Sequence, residues 1–146
     1  MQAVIFIGVQ ASGKTTFYRE RFFETHVRLS LDILKTRARE SALLRACLNA
    51  GQPFVVDNTN VLAARRAWYI TEAKAAGFQV IGYYFRTELR AAIARNKRRA
   101  GKQAIPVPGL IGTFKRLQPP TTGEGFDELF SVEPTTDGLF VVESIS

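Results

Sequence analysis

The sequence predicts an α/β fold, a mostly parallel sheet with helices on both faces. Three observations carry that expectation. Short apolar runs alternate with helix-compatible stretches, the order of strand–helix–strand units. The first run, "VIFI" from Val4, is apolar without alternation, as suits a strand covered on both faces. The 146 residues are 46% hydrophobic and 11% aromatic, enough to fill one core.

Strand one, Ala3 to Ile7, drops straight into Gly8. From there the spacing Gly8, four residues, Gly13, Lys14, Thr15 is that of a phosphate-binding loop, or P-loop. Glycines let the backbone turn tightly and aim N–H groups inward, and the next helix offers its positive end to the same anion. Gly8, Ala11, Ser12, Gly13, Lys14, Thr15 and Thr16 are the candidate phosphate contacts. Lys14 would reach the β/γ-phosphates, and the Thr15 hydroxyl would bind Mg²⁺. The pattern implies a bound nucleoside triphosphate. The run from Thr15 to Glu24 fits a helix, with Phe17, Phe22 and Phe23 available to pack.

"VRLSL" (27–31) reads as a short second strand, and Leu34 to Asn49 as a helix closed by Gly51. "PFVVD" (53–57) is a third strand. Asn60 can cap a helix that runs to about Ala76 and ends at Gly77. "FQVIGYYF" (78–85) is a fourth strand, and Glu88 to Arg99 a basic helix. Gly and Pro break the stretch from Ala100 to Pro120, which has room for a short helix around Leu110 to Leu117. "LFSV" and "GLFVVES" suggest a closing hairpin about "PTTDG".

In open α/β sheets ligands bind beyond the carboxyl ends of the strands. Gly8–Thr15, Asp32, Asp57–Asn60 and Arg86 should therefore converge on one rim. Asp57, ending an apolar run, has the form of a carboxylate that holds Mg²⁺ together with Thr15; capping the following turn is the alternative. Asp32 could accept the proton of an alcohol attacking a γ-phosphate, or could cap the helix near Leu34. Lys35 would lie one helical turn on, on the same face, and steady the phosphoryl group by charge. Arg95 and Arg99 are spaced to face one way and close over the phosphates. They would belong to a lid over about residues 95–118, hinged at Gly101 and Pro106. No adenine pocket is legible; Phe114 and Glu124–Phe126 lie nearest the lid's return.

The net charge is +7, concentrated in residues 86–102, where seven basic residues face one acid. A block of one sign points to an anionic partner, a nucleotide or a nucleic acid. The stretch lacks the interleaved aromatics that stack single-stranded bases. Cys47, the only cysteine, reads as core, and His26 as a surface residue without chemistry. With no disulfide framework, no membrane-length apolar run and no leader before the first strand, the expected location is cytoplasmic.

"GxxxxGKT", "LSLDILK", "VVDNTN", "RNKRRAGKQAIP" and "PPTTGEGFDELF" occur in this order from Val4 to about Phe130. In that order they resemble the 5′-hydroxyl polynucleotide kinase family, which has the P-loop NTPase kinase fold. The resemblance implies a single P-loop kinase domain over 1–146, ATP and Mg²⁺ as cofactors, and Asp32 as general base. It implies Lys35 at the reacting phosphate, Arg95 and Arg99 as lid arginines, and Asn58 and Arg66 on the acceptor. The chain departs from the family at Lys35, where Arg is usual, at Leu31, where Arg commonly stands, and at "VQAS", where "CPGS"-like loops are common. Phosphatase and ligase modules are missing, so any repair role would need separate partners. The implied activity is ATP-dependent phosphorylation of an alcohol, foremost the 5′-hydroxyl of a nucleic acid end. A nucleoside, sugar or antibiotic hydroxyl is the alternative acceptor. A nucleotide switch without acceptor would need a water-positioning Gln, and only Gln10 in the loop and Gln103 in the lid lie near.

Overall fold

β1 (Gln2–Ile7) forms the middle of a six-stranded sheet in a computed structural model that describes residues 1–99 and 104–146. After β1 come α1 (Lys14–Arg21), β2 (Val27–Leu29), α2 (Leu31–Leu34), α3 (Arg37–Ala50) and β3 (Phe54–Val56). There follow α4 (Ala63–Ala75), β4 (Gln79–Phe85), α5 (Leu89–Arg98), α6 (Val107–Arg116), β5 (Glu128–Pro134) and β6 (Phe140–Ser144). The strand order is β2-β3-β1-β4-β5-β6. All neighbours pair parallel except β5 and β6, whose antiparallel hairpin closes one edge. β1 sets the register on both sides, with Ala3 opposite Phe54 of β3 and Val80 of β4.

The unbroken apolar run of β1 feeds two cores at once, because successive side chains point to opposite faces. Ala3, Ile5 and Ile7 pack with Leu44, Tyr69, Ile70 and Phe78 under α3 and α4. Val4 and Phe6 face α1, against Phe17, Phe22, Ile81 and Phe85. A smaller cluster of Val9, Ala92 and Leu110 seats α5 and α6 beside the loop after β1. Cys47 is buried in the first core. Among the described residues no helix is long and apolar enough to cross a membrane.

Several boundaries differ from the sequence reading, each for a local reason. β2 ends at Leu29 because Ser30 Oγ accepts the Asp32 N–H and caps α2. A second cap, Thr36 accepting the Arg39 N–H, starts α3, so the helix expected from Leu34 begins only at Arg37, and the short α2 before it occupies residues read as strand end and link. Lys35 lies between them at φ +72°. Asp32 therefore caps neither helix, and Asp32 and Lys35 do not share a helical face. Asn60 is no helix cap either: α4 begins at Ala63, and the Asn60 amide donates to the Phe6 carbonyl at 2.7 Å, tying the β3 exit to β1. α6 starts at Val107, earlier than expected, immediately after Pro106. The Gly101 hinge and Gln103 lie outside the described residues.

Candidate functional site

At the carboxyl end of β1 the loop from Gly8 ends in an alternation of positive and ordinary φ over Ala11, Ser12 and Gly13. Ala11 stands at +60° and Gly13 at +95°, a sequence of turns that gathers N–H groups into a concave nest. α1 starts immediately after Gly13 with no side-chain cap and no acid in its first turn, so its free N–H groups and positive end face the same space. Gly8 serves the loop through close packing. A Cβ there would stand 2.9 Å from Phe85 Cβ and 3.0 Å from Ser12 Oγ. Its carbonyl and that of Val9 accept from the Lys14 ammonium at 3.0 and 2.7 Å, holding that cation across its own loop.

The loop opens into a cavity of about 770 Å³. Its walls bring together Ala11, Ser12, Gly13, Lys14, Thr15 and Thr16 with Asp32, Lys35, Asp57, Asn58, Arg95 and Arg99. Arg19 and Arg28 join them, and neither was singled out in the sequence. Arg86 is absent from the walls; it is exposed, with its N–H bonded to the Val132 carbonyl.

Thr15 Oγ1 donates to Asp57 Oδ2 at 3.2 Å, and Arg28 Nε donates to the same oxygen at 2.7 Å. Asp57 is 5% exposed, Oδ1 makes no hydrogen bond among the described residues, and the two candidate metal ligands, Thr15 Oγ1 and the Asp57 carboxylate, are hard oxygens. That set fits Mg²⁺, provided phosphate and water supply the remaining ligands. Among the described residues no group of three or more His, Cys, Asp and Glu could hold a metal unaided.

Asp32 is exposed and lines the same cavity, and its turn is held by a chain of hydrogen bonds. The neighbouring Leu31 N–H donates to Asn58 Oδ1 at 2.9 Å, and the Asn58 amide donates to Glu40 Oε2 at 2.7 Å. Glu40, 1% exposed, also accepts from the Tyr69 hydroxyl at 2.8 Å and from Arg37 at 3.0 Å. Burial, with the Glu40 carboxylate beside it, pushes the Tyr69 hydroxyl up, which keeps it a donor. Asn58 thus lines the cavity with its side chain already committed to holding the Asp32 turn.

Arg66 is elsewhere. It is fully buried, with Nε and Nη2 donating to the two Glu124 oxygens at 2.8 and 3.1 Å and Nη1 to the Asn60 carbonyl at 2.9 Å. The acceptor contact expected of it is corrected: every nitrogen faces the protein. Phe114 packs with the α5–α6 cluster and Phe126 with the α3–α4 core, and neither lines the cavity. A cleft of about 220 Å³ opens on the other side of the loop instead, between Gly13, Thr16 and Arg95 and the hairpin residues Pro134, Gly138 and Phe140. The sequence anticipates the hairpin but not that it packs beside the phosphate loop, which is what forms this cleft. Across the undescribed segment, Asn96 exchanges hydrogen bonds of 2.6 and 2.9 Å with the Ile105 backbone and pins α5 to the start of α6.

Burial drives the Lys14 ammonium down to about 8, although Asp57 and Asp32 pull it up and Arg99 adds to the fall. An anion in the nest favours the charged form. Below pH 8 Lys14 already carries its proton and affinity for a phosphate chain should be flat. Above it, binding must take up a proton, so affinity should fall as pH rises, towards about tenfold per unit. Calorimetry in buffers of different ionisation heat should show that proton uptake near pH 9, and its absence would remove Lys14 from the phosphate site.

A family model described as an AAA domain matches residues 35–111, more than half of the chain. The chain belongs to the AAA domain family. The matched segment runs from Lys35 through Asp57–Asn60 and the basic helix into α6. Among solved structures, the chain is similar to a sugar kinase from Janibacter sp. HTCC2649, with TM-score 0.71 and 17% identity over 91% of this chain and 85% of that one. It is also similar to a gluconokinase from Sinorhizobium meliloti 1021 (TM-score 0.64, 16% identity, 90% and 82% covered). A third likeness is to Kti12 of Chaetomium thermophilum in complex with ADP-AlF3 (TM-score 0.65, 19% identity, 90% and 88% covered). At these identities the likeness is one of fold: a mixed α/β architecture with a mainly parallel sheet.

Proposed function

We propose that the protein is an ATP-dependent phosphotransferase that phosphorylates the hydroxyl of a small molecule. The observation that carries this reading is one cavity lined both by the phosphate nest and by Asp32, whose exposed carboxylate makes no hydrogen bond among the described residues. The triphosphate would lie in the nest under Lys14, with Arg95 and Arg99 over it and the base in the cleft beside Phe140. Thr15 and Asp57 would hold Mg²⁺, which when bound neutralises charge on the phosphate chain. The acceptor hydroxyl oxygen forms a bond to the γ-phosphorus as the bond from that phosphorus to the bridging β–γ oxygen breaks. ADP leaves with the bridging oxygen, and the hydroxyl proton passes to Asp32. Lys35 and the lid arginines would draw charge from the transferred group, and closure of the arginines would exclude water.

Support for a small acceptor comes from the neighbours' own descriptions as a gluconokinase and a sugar kinase. It comes also from Arg66, which has no nitrogen to spare for a nucleic acid end. The second reading, a 5′-hydroxyl nucleic acid end, is favoured by the exposed basic residues of α5 and by the resemblance of the motifs to polynucleotide kinases. Transfer of labelled γ-phosphate from ATP with Mg²⁺ separates the two. Polyols, sugars, sugar acids and nucleosides should be labelled, and 5′-hydroxyl DNA and RNA should not. Label on the oligonucleotides alone would reverse the order, and label on water alone would leave a nucleotide switch.

A further inference from the structure

Arg28 stands where the proposed nucleotide site needs a metal. It sits in the middle of β2, its side chain 19% exposed, and its guanidinium spans the corner of the cavity: Nε to Asp57 Oδ2 at 2.7 Å, Nη2 to Thr15 Oγ1 at 3.2 Å. Thr15 and Asp57 are the pair whose oxygens fit Mg²⁺. The same two groups therefore already have a cation of the protein's own.

We propose that Arg28 is a resident counter-cation which neutralises Asp57 in the nucleotide-free protein and loosens the dependence of nucleotide binding on metal. The inference rests on the nucleotide-site reading above. A buried carboxylate beside a phosphate chain repels it strongly, because little water screens the pair. With Arg28 in place that repulsion is cancelled before any metal arrives, so a nucleotide can enter alone. A divalent ion that follows must share Asp57 with a guanidinium or displace it, and its contribution to affinity shrinks accordingly. The coupling is reciprocal: what Arg28 takes from the metal's effect on nucleotide it also takes from the nucleotide's effect on metal. Mid-strand "VRLSL" gives no hint of this, because Thr15 and Asp57 are brought to Arg28 only by the folded sheet.

The test is calorimetric binding of β,γ-imido-ATP in EDTA and in excess Mg²⁺. For the wild type the two dissociation constants should agree within about tenfold. In Arg28→Met the ratio should widen by at least about tenfold, through weaker metal-free binding. Arg28→Lys, which keeps the charge and guards against a folding defect, should stay near the wild type. Adding Asp57→Asn to Arg28→Met should restore metal-free binding. Equal loss in both conditions would make Arg28 a plain phosphate contact and overturn the proposal. A wild type that binds no nucleotide in either buffer would overturn the nucleotide site along with it.

Discussion

Asp32→Asn should lower phosphoryl transfer by about 10²–10⁴, while ATP affinity stays within a few-fold of the wild type. The substitution removes the proton acceptor and little else. The hydrogen bond that starts α2 uses the Asp32 backbone N–H, not its carboxylate, and the adjoining turn hangs on Asn58 and Glu40. Asparagine keeps the size and the backbone N–H contact to Ser30. Single-turnover transfer beside equilibrium nucleotide binding separates chemistry from fold. Full activity in the variant would sink the general-base assignment. Loss of binding together with transfer would make Asp32 part of the nucleotide site instead.

Arg66→Ala should cost about 3–5 kcal/mol of folding stability, the range for breaking a buried ion pair from one side. Truncation would strand the Glu124 carboxylate and the Asn60 carbonyl, and would leave a large void in the protein. Glu124 also accepts the Thr121 N–H at 2.8 Å, so the turn before β5 should loosen with it. Replacing both partners, Arg66→Met with Glu124→Gln, should recover much of the loss, since no full charge then remains buried and unpaired. Urea midpoints check this directly. A variant that keeps its midpoint but loses transfer would return Arg66 to the acceptor.

The two predictions mark where the sequence was legible. The phosphate loop could be read because its chemistry is local: glycine, lysine and threonine at fixed spacing between an apolar run and a helix. The sheet could be read for a related reason, since β1, β3 and β4 are apolar runs ended by turn residues. Asp32 and Lys35 could be named but not placed. Two caps, Ser30 and Thr36, stand only six positions apart; they create a four-residue helix that the sequence does not announce and delay the next one to Arg37. Arg66 and Arg28 show the opposite failure. An arginine's letter is the same whether it faces solvent, a substrate or a buried glutamate, and only the tertiary partner decides. Glu40 and Tyr69 escape for that reason too: a buried acid is recognisable only once its donors surround it.

The strand order has a consequence for how such a protein could change. β1 carries the phosphate loop up the middle. β2 and β3 on one flank present Arg28, Asp32, Lys35 and Asp57; β4, β5 and β6 on the other lead to Arg95 and Phe140. On the proposed reading, Asp32 and Lys35 stand on one wing of the sheet and Arg95 and the hairpin cleft on the other, joined by the central strand, a shared core and the Arg66–Glu124 pair. A new acceptor could then be acquired by rewriting the lip around Asp32 and Lys35 while the phosphate loop, Arg28 and Asp57 are inherited intact.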